Sequence, residues 1–196
     1  LSAGASKVTV IELEPAVVEA SYFFNEINGD PLNDSRTTLI VDDARAVLSR
    51  YETAYDVIIS EPSNPWLTGI SNLFTQEYWA LGRKRLESNG VFCQWVQLYA
   101  LSPEAFRSLI ATYTSIFPNT WLFETIPGSD ALLISSPELP EILPIEAALG
   151  PVQLKALSEG ARINTDNNPW IEFEAPKWIH KKTGQKNQRL IDKFKP

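Results

Sequence analysis

The chain has 196 residues, 44% hydrophobic and 21% charged, with a formal net charge of −7. That is enough for one good core and a small appendage, and no apolar run approaches the ~18 residues a bilayer span needs. The single cysteine, Cys93, excludes an internal disulfide framework and sits in an apolar strand, where an inert core thiol is expected. Residues 177–196 carry seven basic side chains and one acidic, leaving ten basic against 23 acidic in the body. An acidic body disfavours nucleic acid and favours a cationic ligand. The basic end reads as solvated and flexible, and His180, the only histidine, lies there without ligand partners. The chain starts at Leu1 and lacks methionine, so it reads as an excised or processed piece.

Taken in order, Lys7–Leu13 is β-branched and apolar and predicts a strand. Glu14-Pro15 opens a helix whose inward positions are Val17, Ala20, Phe24 and Ile27, stopped by Asn28-Gly29-Asp30-Pro31. A second strand spans Thr37–Val41, Asp42-Asp43 ends it, and a short helix runs from Ala44 to Arg50. The third strand, Tyr55–Ser60, has the continuous apolar run Val57-Ile58-Ile59 of a strand covered on both faces. Thr75 caps a helix with Tyr78, Leu81 and Leu86 inward; Asn89-Gly90 turns into the strand Val91–Val96. Ser102-Pro103-Glu104 starts a helix with the stripe Phe106, Leu109, Ile110, Tyr113 and Phe117. Thr120–Thr125 and Ala131–Ser135 form a hairpin through Pro127-Gly128. A proline-rich link over Pro137–Pro144, a helix to about Ser158 and the irregular TDNNPWIEFEAP complete the body. Strand and helix alternate, which implies an α/β fold with a parallel sheet and helices on both faces. The expected division is 1–136 for this core, 137–176 for a C-terminal extension and 177–196 for the basic end.

The chain is organised around the loop after the third strand, Ser60-Glu61-Pro62-Ser63-Asn64-Pro65-Trp66. Two prolines stiffen this loop, which carries a carboxylate, an amide and an indole at the carboxyl end of a strand, where open α/β sheets bind ligands. Three strand ends carry acids: Glu12/Glu14, Asp42/Asp43 and Glu61. In one parallel sheet these share a rim. A carboxylate there can accept two ribose hydroxyls, and a second can accept from an adenine amino group, so the pattern suits an adenosine-containing ligand. Asp43 could equally cap the helix at Ala44. The glycine-rich turn that usually opens a nucleotide site would fall before Leu1.

The segments IELEPAVVE, VDDARAVL, YDVIISEPSNPW with NLFTQEYW, and GVFCQWVQLY resemble spermidine synthase and related polyamine aminopropyltransferases over about Lys7–Glu124. The wording SEPSNPW with LFTQEYW is closer to bacterial spermidine synthase-like proteins often fused to membrane segments, and TDNNPWIEFEAP resembles a closing segment of that group. The resemblance implies a Rossmann-like, methyltransferase-type fold, N-terminally truncated here, with the first strand and glycine loop missing. It implies aminopropyl transfer from decarboxylated S-adenosylmethionine to a polyamine-type amine, releasing methylthioadenosine, with no metal. Glu12 matches the acid that takes the ribose and Asp43 the acid near adenine, with Glu14, Asp42 and Ala44 beside them. Glu61 stands where the family has its catalytic aspartate, Asn64 at a second acidic position, and Trp66 and Gln94 on the substrate side. The sequence departs twice: Glu61 is one methylene longer than aspartate, and Asn64 is neutral, which counts against putrescine as acceptor. The partners implied are the amine and the adenosyl nucleoside, not nucleic acid; a homodimer, and a membrane domain in the parent, are compatible. The implied location is the cytoplasm or the cytoplasmic side of a membrane-fused parent. Methyl transfer from S-adenosylmethionine on the same fold, or a retired nucleoside- or partner-binding module, are the rival readings.

Overall fold

Apolar runs broken by capping residues and prolines set the elements of the computed structural model, which describes residues 1–67, 69–136 and 147–196. The expected link over Pro137–Pro144 lies outside them. The chain divides into two compact units, Leu1–Glu52 and Thr53–Pro196.

In the first unit β1 (Val8–Glu12) pairs in parallel with β2 (Thr37–Val41), from Val8 opposite Thr37 to Glu12 opposite Val41. The Glu14 side chain accepts from the Ala16 N–H and Pro15 takes the first helical position, which starts α1 (Pro15–Ser21). The single helix expected here is broken by a 3-10 turn at Tyr22–Phe24 before α2 (Asn25–Asn28), which Gly29 ends at φ 75°. Its expected inward stripe is also corrected: Val17, Phe24 and Ile27 are exposed. A ladder of two strands offers too little surface to bury that stripe. Asp43 caps α3 (Ala44–Arg50), which does bury Val47 and Leu48.

The second unit is built on a four-stranded sheet of order β3-β4-β6-β5. Here β3 (Tyr55–Ser60) runs parallel to β4 (Leu86–Gln97), which pairs antiparallel with β6 (Asp130–Ser135), itself antiparallel to β5 (Thr120–Ile126). The four parallel strands expected in one sheet are thus bonded as two parallel pairs, and no described strand bridges them. The Asn89-Gly90 turn lies inside β4, where the register against β3 shifts between Tyr55 and Val57. Thr75 caps α4 (Gln76–Lys84) and Ser102 caps α5 (Pro103–Ile116), as their sequences predict. Buried Trp79, Phe92, Tyr113 and Phe117 stack edge-on or tilted at centroid distances of 5.0–6.2 Å and fill the core. Burial pushes the Tyr113 phenol above its usual pKa.

Two expectations fail in this unit. The run Val57-Ile58-Ile59 is not covered on both faces: Val57 is 53% and Ile59 71% exposed, while their neighbour Ser60 is buried against Tyr78. Alternation along the strand sends them to the other side of the sheet. Nor is the basic end free. After α6 (Pro151–Ser158) and α7 (Trp170–Glu174), residues Gly184–Asp192 form α8, which buries Gly184, Asn187 and Ile191. No helix among the described residues is long and apolar enough to cross a membrane.

Candidate active site

The acids of the first unit gather at one end of its ladder. Glu12 closes β1, and its carbonyl accepts from the Asp42 N–H at 3.1 Å, so the residues following β2 return to it. One Glu12 carboxylate oxygen accepts from the Glu14 N–H at 2.9 Å; the other takes no hydrogen bond from the described residues. Asp42 accepts from the Asp43 N–H at 2.8 Å and pairs with Arg50 at 3.0 Å. Those two contacts, the backbone donor first, hold its carboxyl below the usual range. Asp43 accepts from the Ala46 N–H at 2.7 Å and Glu14 from the Ala16 N–H at 3.1 Å, so both act here as helix caps. Ala44 is the first residue of α3. Capping does not consume these sites, because a carboxylate has about four acceptor positions.

In the second unit the parallel register sets Ser60 beside Gln94, and Glu61 leaves β3 at that point with its side chain exposed. Cys93, half-buried on the adjacent strand, has its thiol pushed up first by burial and then by the Glu61 charge. The loop then folds on itself: the Leu67 N–H reaches the Asn64 carbonyl at 3.0 Å, and Pro65 is buried. Asn64 is tied across to the end of β4. Its Nδ2 donates to Gln97 Oε1 at 2.8 Å and to the Tyr99 hydroxyl at 3.2 Å. Trp66 meets the Tyr99 ring edge-on, 6.1 Å between centroids. Proline stiffness and these contacts fix a loop that would otherwise sample many conformations.

Gln94, expected on the substrate side, is fully buried with both ends of its amide occupied: Trp79 Nε1 donates to it at 3.0 Å and it donates to the Trp95 carbonyl at 2.9 Å. Alternation explains the placement, since Gln94 shares its face with Phe92 and Val96, whereas Cys93 and Gln97 point to the other side. Gln97 and Tyr99, which sequence reasoning passed over, take the position beside Asn64. Their signal is the odd-numbered alternation from Cys93 through Trp95 to Gln97 within GVFCQWVQLY.

The Tyr99 turn is itself held from behind. Ala100 adopts φ 49°, Leu98 N–H donates to the Ser129 carbonyl at 2.7 Å, and Leu101 N–H to Thr183 Oγ1 at 3.0 Å. Asn187 Nδ2 donates to the Leu98 and Leu101 carbonyls, both at 2.8 Å, so α8 clamps the turn on either side of Tyr99.

A family model described as the spermine/spermidine synthase domain matches residues 4–131. The chain is similar to the polyamine aminopropyltransferase of Bacillus subtilis, at 29% identity over 117 residues, covering 60% of this chain and 42% of that protein. It is similar to putrescine N-methyltransferase 2 of Nicotiana tabacum, at 27% identity over 143 residues, covering 69% of this chain and 40% of that protein. Among solved structures it resembles spermidine synthase from Thermotoga maritima, with TM-score 0.57 and 19% identity over 92% of this chain and 61% of that one; at this identity the likeness speaks for the fold alone. The chain spans less than half the length of these curated relatives. A strand-end carboxylate followed by a proline-stiffened loop, set on a Rossmann-like α/β frame, together with a family match over residues 4–131, means that the chain belongs to the spermine/spermidine synthase family.

Proposed function

We propose that this chain carries the aminopropyl-transfer machinery of its family, moving the aminopropyl group of decarboxylated S-adenosylmethionine to an amine acceptor. The observation that carries this reading is Glu61: an exposed carboxylate at the end of β3, on a loop fastened to the end of β4 by the Asn64–Gln97 bond. An aliphatic amine with a pKa near ~10 is protonated at neutral pH and has no lone pair to offer. Glu61 takes that proton. The freed nitrogen attacks the propyl carbon beside the sulfonium, an N–C bond forms, the C–S bond breaks, and sulfur keeps the electron pair as methylthioadenosine leaves. Holding the amine against a fixed carboxylate also supplies orientation. In the first unit, Glu12 is the residue for the ribose hydroxyls, with its second oxygen open, and Asp43, with Asp42, Glu14 and Ala44 around it, for the adenine side. Charge on the substrates, not a metal, drives this chemistry.

A second reading is methyl transfer from intact S-adenosylmethionine to an amine, favoured by the similarity to the Nicotiana putrescine N-methyltransferase. Supplying each donor separately with a panel of amines and following the released nucleoside decides between them. Methylthioadenosine from the decarboxylated donor supports aminopropyl transfer, S-adenosylhomocysteine from the intact one supports methyl transfer, and neither product leaves a binding role.

A further inference from the structure

The hydrogen bonds beside Asn64 have a direction. Both Nδ2 protons of Asn64 are used, one on Gln97 Oε1 and one on the Tyr99 hydroxyl, which leaves Asn64 Oδ1 with no partner among the described residues. Gln97 is 2% exposed, and its Nε2 is a buried donor that no described group accepts. A buried amide N–H without an acceptor is costly, so the orphan marks a place where an oxygen belongs. Rotating both amides by half a turn exchanges the parts but not the sum. Gln97 would then donate to Asn64, and the Asn64 amide N–H and the Gln97 carbonyl would be the groups left without partners. In either arrangement one donor and one acceptor are unmade, and Asn64 brings no charge.

An ammonium group can only donate, and it would face the positive end of an amide as well as the acceptor. A hydroxyl or an amide can satisfy both. The carboxylate that the β4–β6 ladder sets opposite Gln97 is Asp130, which accepts from the Ser129 hydroxyl at 2.9 Å and does not bond to Gln97.

We propose that Asn64, Gln97 and Tyr99 form the recess that determines acceptor specificity, and that it takes an amine whose far end is an uncharged group able both to donate and to accept a hydrogen bond, in place of a second ammonium. This rests on Glu61 handling the reacting nitrogen. Tyr99 is a positioning residue here, holding Asn64 by its hydroxyl and Trp66 by its ring.

The test compares 4-amino-1-butanol with putrescine, which match in length and differ only at one end. Binding to the full chain is measured by calorimetry with methylthioadenosine present. The amino alcohol should bind about tenfold more tightly to wild type, because the diamine leaves the amide donor unmade. Asn64→Asp should erase or reverse that ratio, and Gln97→Leu should weaken the amino alcohol about tenfold. Circular dichroism checks that both variants fold. Equal or tighter putrescine binding to wild type overturns the proposal, as does a ratio untouched by Asn64→Asp, or no binding of either amine. Putrescine binding that disappears in Asp130→Asn would assign the far-end site to that carboxylate instead, which also overturns it. Nucleoside release from the decarboxylated donor is followed in parallel: its absence defeats aminopropyl transfer, whereas the ranking of the two ligands decides the recess.

Discussion

Replacing Asn187 by leucine tests whether α8 is a working part of the fold. Asn187 is fully buried, and one nitrogen serves both the Leu98 and Leu101 carbonyls at 2.8 Å. Its own Oδ1 is buried without a partner. Leucine has the same branched skeleton of heavy atoms but bulkier methyl groups, so no cavity forms and any crowding adds to the loss. The substitution strands two carbonyls at a cost of about 1–3 kcal/mol each and removes one orphan acceptor worth about 1–3 kcal/mol in the opposite sense. The net loss is therefore about 1–3 kcal/mol, read as a lower urea midpoint with an unchanged slope. Gln185→Leu, on the exposed side of the same helix, is the control and should shift stability by less than about 0.5 kcal/mol. Equal midpoints for the two variants would refute the clamp. Because the clamped turn carries Tyr99, Asn187→Leu should also raise the KM for the amine more than it lowers kcat.

Gly184→Ala would put a Cβ 2.1 Å from the Gly128 carbonyl oxygen, a backbone contact that cannot yield cheaply, so a loss of about 1–3 kcal/mol or more is expected by chemical denaturation. Trp79→Phe strands the buried Gln94 carbonyl and should cost about 1–3 kcal/mol by thermal or urea unfolding, without altering amine preference, since Gln94 serves the core. Asp34 is held at about 2 by hydrogen bonds from Arg36, against its usual 3.8. Its depressed value means that it favours the folded state above pH ~3.8, and that this contribution is lost as pH falls through ~2. Carboxyl chemical shifts followed between pH 5 and 1.5 should show Asp34 titrating at about 2, and Arg36→Gln should return it toward 3.8.

The features legible in the sequence were mostly local chemistry. Glu14-Pro15, Asp43, Thr75 and Ser102 each cap the helix their position announces, because a cap is decided by a side chain and two or three neighbouring N–H groups. The Pro127-Gly128 hairpin was readable for the same reason, with Gly128 at φ 75°. Burial was less legible. Val57 and Ile59 have the pattern of a strand covered on both faces, but coverage depends on the elements that pack there, and α4 and α5 lie on the Ser60 and Gln94 side. The basic end misled because its seven basic side chains, of which Lys186 and Arg189 lie exposed on α8, hide the helix's anchoring residues Gly184, Asn187 and Ile191, which recur at i, i+3 and i+7 with only one large apolar side chain among them. At the site, Glu61 and Asn64 are set out by the motif itself. Gln97 and Tyr99 are not, because their role comes from the β4 pleat meeting the loop, a tertiary event that no single segment encodes.

The most direct test of the central claim is the rate of methylthioadenosine release from decarboxylated S-adenosylmethionine by Glu61→Gln beside wild type, with 4-amino-1-butanol and putrescine as acceptors. Glutamine keeps the shape and loses the proton acceptor, and Glu61 is exposed, so folding should be unchanged. The rate should fall by about 10²–10⁴-fold, the span expected when a general base is removed. Wild-type release that survives Glu61→Gln undiminished would contradict the assignment of Glu61 as the base.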